Sequence, residues 1–314
     1  METRKLIKFG NASHVISIPG QWVKKNNLHK GDLIYFEENG SNELIISPEK
    51  KESKKEEKEI TIVIEKQTLH TLQREIVSTY INDHKVIRII GDNLSKYSVD
   101  IRELINNLVG LEIIEQTQNR IVANDFIDIE KISIVDIIRR VDITIRAMMS
   151  DAIRTSEKDL YESIYNRDQD VNRLTILIYR ACKYFIEHKQ ESVGFGPTDY
   201  FRFWTVAENM ERIGDEIKRS ARFLRDIKLS KNKMTEIMGM YTKMEKYYLQ
   251  IMNSFYKRNK ELLLESGVNR DEIMKSLENF LNKNYAVKYV PNIVEKLKSI
   301  GNFGHSIVKT MIYN

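Results

Sequence analysis

Hydrophobic residues in the second half of the chain, from about residue 132 onward, recur at the three-to-four-residue spacing of amphipathic helices. Short stretches of small, polar or prolyl residues interrupt this pattern at 155–156, 192–198, 230–231, 266–267 and 284–291. They divide the region into the segments 132–154, 157–189, 198–228, 231–260, 268–283 and 290–313. Helices of these lengths joined by short loops predict a six-helix bundle.

The third and sixth segments share a short sequence. The third contains Glu-Arg-Ile-Gly-Asp at 211–215, and the sixth contains Lys-Ser-Ile-Gly-Asn at 298–302. This echo predicts a three-helix unit that occurs twice. Glycine inside a helix costs about 1 kcal/mol relative to alanine, so its presence in both copies predicts a close packing contact at Gly214 and Gly301. The acids occur only in the first copy, which makes them the candidates for a function.

Residues 1–48 have a different pattern, in which short strand-like runs alternate with turns. Strands are predicted at 5–9, 14–18, 33–37 and 43–47, with a short helix from Pro19 to about residue 27. The last two strands are joined across Asn39-Gly40, a strong hairpin signal. A ββαββ unit of under about fifty residues cannot bury a good core alone, so dimerisation is expected.

Between these regions lie a linker and a small middle domain. Residues 49–59 hold five lysines, five glutamates and one serine, which predicts a solvated connector. Residues 60–130 predict a βαβαββ domain with strands at 60–64, 85–90, 111–115 and 120–124 and helices at 68–82 and 99–109. We interpret it as a spacer or dimerising unit. The alternative is a ligand sensor, although no glycine-rich phosphate loop is present.

Composition narrows the class of protein. The 314-residue chain is long enough for several domains, and its formal net charge is +5. The single cysteine, Cys182, excludes a disulfide framework or a multi-cysteine metal site and is expected in the core. There is no signal peptide, and no apolar run approaches about 18 residues, so a cytoplasmic protein without membrane insertion is expected. The histidines are scattered and no catalytic triad is visible, so no enzymatic activity is expected.

Charge is uneven within the N-terminal module. Residues 1–30 carry six lysines and arginines against one acid, Glu2. A basic face of this kind is typical of binding to the phosphate backbone of nucleic acid. The alternative is an ordinary solvated surface.

The same module contains the run KFGNASHVISIP at 8–19, followed by Trp22, Leu28 and the Lys-Gly-Asp turn at 30–32. This series resembles the AbrB/SpoVT/MazE family, whose members are swapped-hairpin dimers that bind DNA. The resemblance and the basic face together predict DNA-facing residues at Arg4, Lys5, Lys8, Asn11, Lys24 and Lys25. Some members of the family serve only as dimerisation or antitoxin modules, so a role without DNA is the alternative.

The helical region contains two pairs of oxygen-bearing side chains at helical spacing. Glu211 and Asp215 are four residues apart in the third segment, and Asp168 and Asn172 are four apart in the second. If these helices pack antiparallel, the four side chains converge, and oxygen-only ligands suit Mg, Mn or ferric iron. The alternative is that the acids are solvated or paired with neighbouring arginines, namely Arg212, Arg219 or Arg173.

The Glu-Arg-Ile-Gly-Asp run, the 168–172 segment and the doubled three-helix repeat resemble the PhoU family of phosphate-uptake regulators, over about residues 130–314. The family carries acid-x-x-x-Asp motifs that hold iron, manganese, zinc or magnesium. The resemblance therefore implies a metal site at Glu211, Asp215, Asp168 and Asn172. Lys298 and Asn302 depart from the motif in the second copy.

These observations predict a mainly α, multidomain protein. A β-rich swapped-hairpin head at 1–48 is followed by the linker at 49–59, the α/β domain at 60–130 and a double three-helix bundle at 131–314. The expected function is a regulator of phosphate uptake or the phosphate response that binds DNA as a homodimer and regulates transcription. The alternative is a protein-interaction adaptor that restrains a phosphate transporter or a histidine kinase, with the head used only for dimerisation.

Overall fold

The computed structural model describes residues 3–10, 13–38, 44–49, 58–65, 67–155, 157–188, 194–257 and 260–312. Contacts between residues divide the chain into two compact units, Met1–Glu56 and Glu57–Asn314. The second unit contains both a sheet domain and a helical bundle. Helices account for 65% of the structure, so the predicted mainly α fold class is confirmed.

The N-terminal unit has the predicted ββαββ order. Its elements are β1 (Ile7–Phe9), β2 (Ser13–Val15), α1 (Gly20–Lys25), β3 (Tyr35–Glu38) and β4 (Leu44–Ser47). β1 pairs antiparallel with β2, and β3 with β4, so the unit contains two hairpins. Pro19 stands immediately before α1, where its φ of −57° suits a helix start. The predicted Asn39-Gly40 turn lies outside the described residues.

The described residues of this unit form no buried core in a single chain. None of its described residues is buried. Many of its large hydrophobic side chains are exposed instead, including Phe9 at 70% and Leu33 at 74%. Apolar surface of this extent is normally covered, which agrees with the expectation that the module needs a second copy.

The sheet domain has the predicted βαβαββ order. Its elements are β5 (Glu59–Val63), α2 (Leu69–Ile81), β6 (Val86–Ile90), α3 (Leu94–Asn106), β7 (Leu111–Gln116) and β8 (Arg120–Asp125). The strand order in the sheet is β5-β6-β8-β7, with β5 and β6 parallel and the other pairs antiparallel. α3 begins five residues earlier than predicted because Leu94 already contributes to the core between the sheet and its helices.

The six predicted helical segments correspond to six helices in the described residues. They are α4 (Ile134–Arg154), α5 (Tyr161–His188), α6 (Pro197–Asp226), α7 (Lys231–Lys257), α8 (Lys260–Asn284) and α9 (Val290–Ile312). Their inward faces form one continuous apolar core. Cys182 is fully buried in it, as predicted, and burial raises the pKa of its thiol to about 12.

The predicted helix break at residues 266–267 is wrong. α8 runs without interruption from Lys260 to Asn284 and passes through Ser266 and Gly267. A single glycine costs only about 1 kcal/mol within a helix, which the other residues of a long helix readily offset.

The two repeat glycines differ in how tightly they are packed. A methyl group at Gly301 would overlap the Met274 side chain and lie 3.2 Å from Met244 Cε. A methyl group at Gly214 would lie 3.6 Å from Val171 Cγ1, an ordinary van der Waals distance. The predicted packing role is therefore confirmed at Gly301, whereas Gly214 lies at a helix contact that leaves room for alanine.

Candidate functional site

Two of the predicted metal ligands lie on neighbouring helices and share one lysine. Asp168 is on α5 and Asp215 is on α6. Lys218 Nζ donates to Asp168 Oδ2 at 2.5 Å and to Asp215 Oδ1 at 2.7 Å. Lys218 follows Asp215 by three residues, so it reaches Asp215 within its own helix and Asp168 across the helix interface. We refer to Asp168, Asn172, Glu211, Asp215 and Lys218 as the α5–α6 cluster.

Of the three arginines that the alternative interpretation named as partners of these acids, one pairs with the cluster. Arg219 Nη2 donates to Asp215 Oδ2 at 2.7 Å, so both oxygens of Asp215 accept from cationic side chains. Arg212 and Arg173 instead pair with acids on their own helices. Lys218 at the centre of the cluster and Arg219 at its edge therefore offset the charge of two of its three carboxylates.

Other oxygens of the cluster lack partners. Asp168 is only 2% exposed, and its Oδ1 atom has no hydrogen-bond partner; the buried Asn172 Oδ1 atom has none either. Glu211 accepts no hydrogen bond from the described residues. Burial raises the pKa of Asp168 despite Lys218, and burial together with the charges of Asp215 and Asp168 raises that of Glu211. The cluster thus holds more acceptor oxygens than its one lysine satisfies.

The arrangement does not fit a metal ion as it stands. Among the described residues, no group of three or more histidine, cysteine, aspartate or glutamate side chains is placed to hold one. A hard divalent cation takes several oxygen ligands, but both oxygens of Asp215 and one oxygen of Asp168 face cationic side chains. The chemistry at this point of the bundle is that of a buried ion pair.

The equivalent place in the second repeat also contains a protein cation. Asn302 is the counterpart of Asp215, and its Oδ1 atom accepts from Arg270 Nη2 on α8 at 2.7 Å. By the spacing that relates Gly214 to Gly301, the counterpart of Lys218 is His305. Burial lowers the pKa of His305, and the charge of Arg270 lowers it further. The second copy therefore has neither the two acids nor the lysine at these positions.

The basic hairpin of the N-terminal unit separates polar from apolar side chains. In the β1–β2 pair, Lys8 is opposite His14 and Ile7 is opposite Val15. Successive residues of a strand point to opposite faces, so Lys8 and His14 share one face while Ile7, Phe9 and Val15 share the other. Covering the apolar face with a second copy would leave the Lys8 face in solvent.

The four lysines that are predicted to face DNA are all accessible to solvent. Lys5, Lys8, Lys24 and Lys25 are exposed, and none of them forms an ion pair with another described residue. Arg4 is also exposed, and Asn11 lies outside the described residues. Their assignment to DNA binding stays a prediction.

Sequence reasoning missed a buried ion network between the sheet domain and the bundle. Arg180 on α5 is fully buried and donates to Asp125 at the end of β8 and to Asp83. Its guanidinium lies 4.4 Å from the centre of the Tyr80 ring. Lys85 Nζ also donates to Asp125, at 2.6 Å. An arginine within an otherwise apolar helical run was the one available signal, because full burial requires a charged partner.

Comparisons with known proteins agree with this architecture. Residues 138–224 match the family model of the PhoU domain, and residues 7–54 match the model described as antidote-toxin recognition MazE, bacterial antitoxin. Both resemblances predicted from the sequence are thereby confirmed. The PhoU match spans most of the first three-helix repeat and includes all five residues of the α5–α6 cluster.

Among solved structures, the crystal structure of PhoU from Pseudomonas aeruginosa is similar with a TM-score of 0.49 and 18% identity. The alignment covers 57% of this chain and 94% of that one. No match was found among curated proteins. No helix in the described part of the chain is long and apolar enough to cross a membrane.

Proposed function

We propose that this chain is a regulator of phosphate uptake or the phosphate response that binds DNA as a homodimer through its N-terminal module and acts on transcription in the cytoplasm. The phosphate role rests on the match of the first helical repeat to the PhoU domain. The DNA role rests on the N-terminal hairpin.

The observation that carries the DNA role is the two-faced hairpin. Its apolar face needs covering, and its opposite face presents Lys8, which is exposed and forms no ion pair with a described residue; Lys5, just before β1, is exposed as well. Two copies joined through the apolar face would present two sets of basic side chains from one particle. Exposed lysines without ion-pair partners favour binding to the phosphate backbone, which releases counterions and depends strongly on salt.

A fluorescence anisotropy titration of the full chain against labelled duplex DNA, repeated at several salt concentrations, tests this role. The Lys5→Ala/Lys8→Ala variant should bind more weakly, and its salt slope should fall by about one for each phosphate group that is no longer neutralised. The matched control is Lys228→Ala/Lys231→Ala, which removes the same charge from exposed residues of the second unit and should bind like the unaltered chain.

The second candidate function is a protein-interaction adaptor that restrains a phosphate transporter or a histidine kinase. The observation that favours it is the exposed apolar surface of the N-terminal unit, which calls for dimerisation whether or not DNA binds. Absence of DNA binding by the intact dimer at low salt would contradict the first proposal. Co-purification with such a transporter or kinase would then support the second.

A further inference from the structure

The α5–α6 cluster combines acidic residues with a cation supplied by the chain itself. Lys218 Nζ lies within hydrogen-bond distance of carboxylates on both helices, 2.5 Å from Asp168 Oδ2 and 2.7 Å from Asp215 Oδ1. Asp168 is 2% exposed, and a carboxylate so deeply buried requires a positive partner. Within the described residues, Lys218 is the only cationic side chain that donates a hydrogen bond to it.

The internal repeat provides a second, independent observation. The first repeat has Glu211, Asp215 and Lys218, whereas the corresponding residues of the second are Lys298, Asn302 and His305. The lysine therefore occurs in the copy that has the acids and not in the copy that lacks them. This joint occurrence is what a charge partnership requires, and it is not explained by helix packing alone.

We propose that Lys218 takes the place of a metal ion in this cluster, so that the bundle neutralises its buried carboxylates without a bound metal. Removing the ammonium would leave the carboxylates of Asp168 and Asp215 without their shared cation, with the charge of Glu211 acting on both. Among the described residues these carboxylates are not placed to hold an ion while the lysine lies between them, so a cation that replaces the ammonium must draw them together. A set of oxygens with excess negative charge is what hard divalent cations bind. The Lys218 side chain is then the group that excludes such a cation.

The test compares the full-length chain with Lys218→Met, which removes the charge but keeps an unbranched apolar stem. The matched control is Lys243→Met on α7, where the lysine is exposed and makes no ion pair with a described residue. Each protein is purified without chelator or nickel resin and dialysed against Mn²⁺. Bound manganese is then measured by elemental analysis, and the melting temperature is measured with and without Mn²⁺.

The unaltered chain and Lys243→Met should hold no stoichiometric manganese, and Mn²⁺ should leave their melting temperatures unchanged. Lys218→Met should bind manganese stoichiometrically and melt at a higher temperature when Mn²⁺ is present. Adding Asp168→Asn and Asp215→Asn to Lys218→Met should abolish both effects, which locates the ion in the cluster.

Two results would overturn the proposal. The first is that the unaltered chain binds stoichiometric manganese and Asp168→Asn/Asp215→Asn does not. The cation held by these carboxylates would then be a metal ion and not the lysine. The other is a folded Lys218→Met protein that gains no manganese. If Lys218→Met does not fold, the proposal is tested on the unaltered chain and on Lys218→Arg, which keeps a cation at this position. Both proteins must then lack stoichiometric manganese, and manganese in either one overturns the proposal.

Discussion

Arg180 on α5 holds both oxygens of Asp125 on β8, through an Nη1–Oδ1 distance of 3.1 Å and an Nη2–Oδ2 distance of 2.5 Å. Both side chains are completely inaccessible to solvent. The pair connects the sheet domain to the bundle within the second compact unit. Bidentate pairing of this kind fixes geometry as well as charge.

Replacing Arg180 by methionine should therefore be strongly destabilising, because it leaves Asp125 and Asp83 without their shared guanidinium. Removing one partner of a buried pair costs roughly 3–5 kcal/mol, and the lower end is expected here since Lys85 still contacts Asp125. Urea unfolding measures the change. Arg222→Met, at an exposed position of α6, should change the free energy of unfolding by no more than about 0.5 kcal/mol. Equal losses of stability in the two variants would show that the Arg180 network contributes little.

Asp125 should also make stability depend on pH in the acid range. Burial opposes its ionisation, but the hydrogen bonds and charges of Arg180 and Lys85 outweigh burial and lower the pKa of Asp125 in the folded state. The stabilisation from a lowered carboxyl pKa is fully present above the unfolded-state pKa of about 3.9 and is lost as pH falls through the folded-state value. Asp125→Asn should accordingly be less stable than the unaltered chain at neutral pH, and the difference should narrow below about pH 4. A stability difference that is the same at neutral pH and in strong acid would rule out this linkage.

The two repeat glycines should respond in opposite directions to alanine. Gly214→Ala is sterically accommodated and improves helix propensity, so it should raise the free energy of unfolding by up to about 1 kcal/mol. Gly301→Ala forces the ends of the Met274 and Met244 side chains to move, and because methionine is flexible the loss should lie at the lower end for overpacking, about 1 kcal/mol. Denaturant unfolding of both variants provides the comparison, with each serving as the other's control. The prediction fails if Gly214→Ala proves the more destabilising of the two.

Dimerisation through the hairpin should depend on its apolar face. Phe9→Glu places a charge on that face and should shift the light-scattering mass of the full chain toward the monomer. Phe201→Glu is the matched control, because Phe201 is similarly exposed, at 62% against 70%, but lies on α6 in the other unit. A mass that stays unchanged in Phe9→Glu would mean that the chain associates through a different surface.

Much of the fold follows from local sequence pattern. The spacing of apolar residues predicted six helices and the βαβαββ order, since each element is specified by residues close in sequence. The predicted element boundaries were less accurate where tertiary packing decides them. Leu94, for example, begins α3 because its side chain is buried. The break predicted at Gly267 failed for a similar reason, because a whole helix outweighs one unfavourable residue.

The assignment of the candidate site residues stays a prediction, and the structure shows only which of them lie together and what they contact. The four-residue spacing singled out Glu211 and Asp215, and the packing of α5 on α6 places Asp168 and Asp215 on the same lysine. The sequence offered three arginines as partners, yet the central cation is Lys218, whose contact with Asp168 spans 50 residues of sequence. Arg180 and Asp125 are also far apart, with a separation of 55 residues. Contacts of this range depend on how elements pack, which periodicity does not encode.

α5 carries one residue of each ion network. Asp168 contacts Lys218, and Arg180 contacts Asp125, twelve residues further along the same helix. At 1.5 Å per residue the two points are about 18 Å apart on one continuous rod. Any event that slides or turns α5 against α6 must therefore either carry the sheet domain with it or break the Arg180–Asp125 pair. Ion pairs therefore fix α5 at two points along its length, at Asp168 against α6 and at Arg180 against the sheet domain.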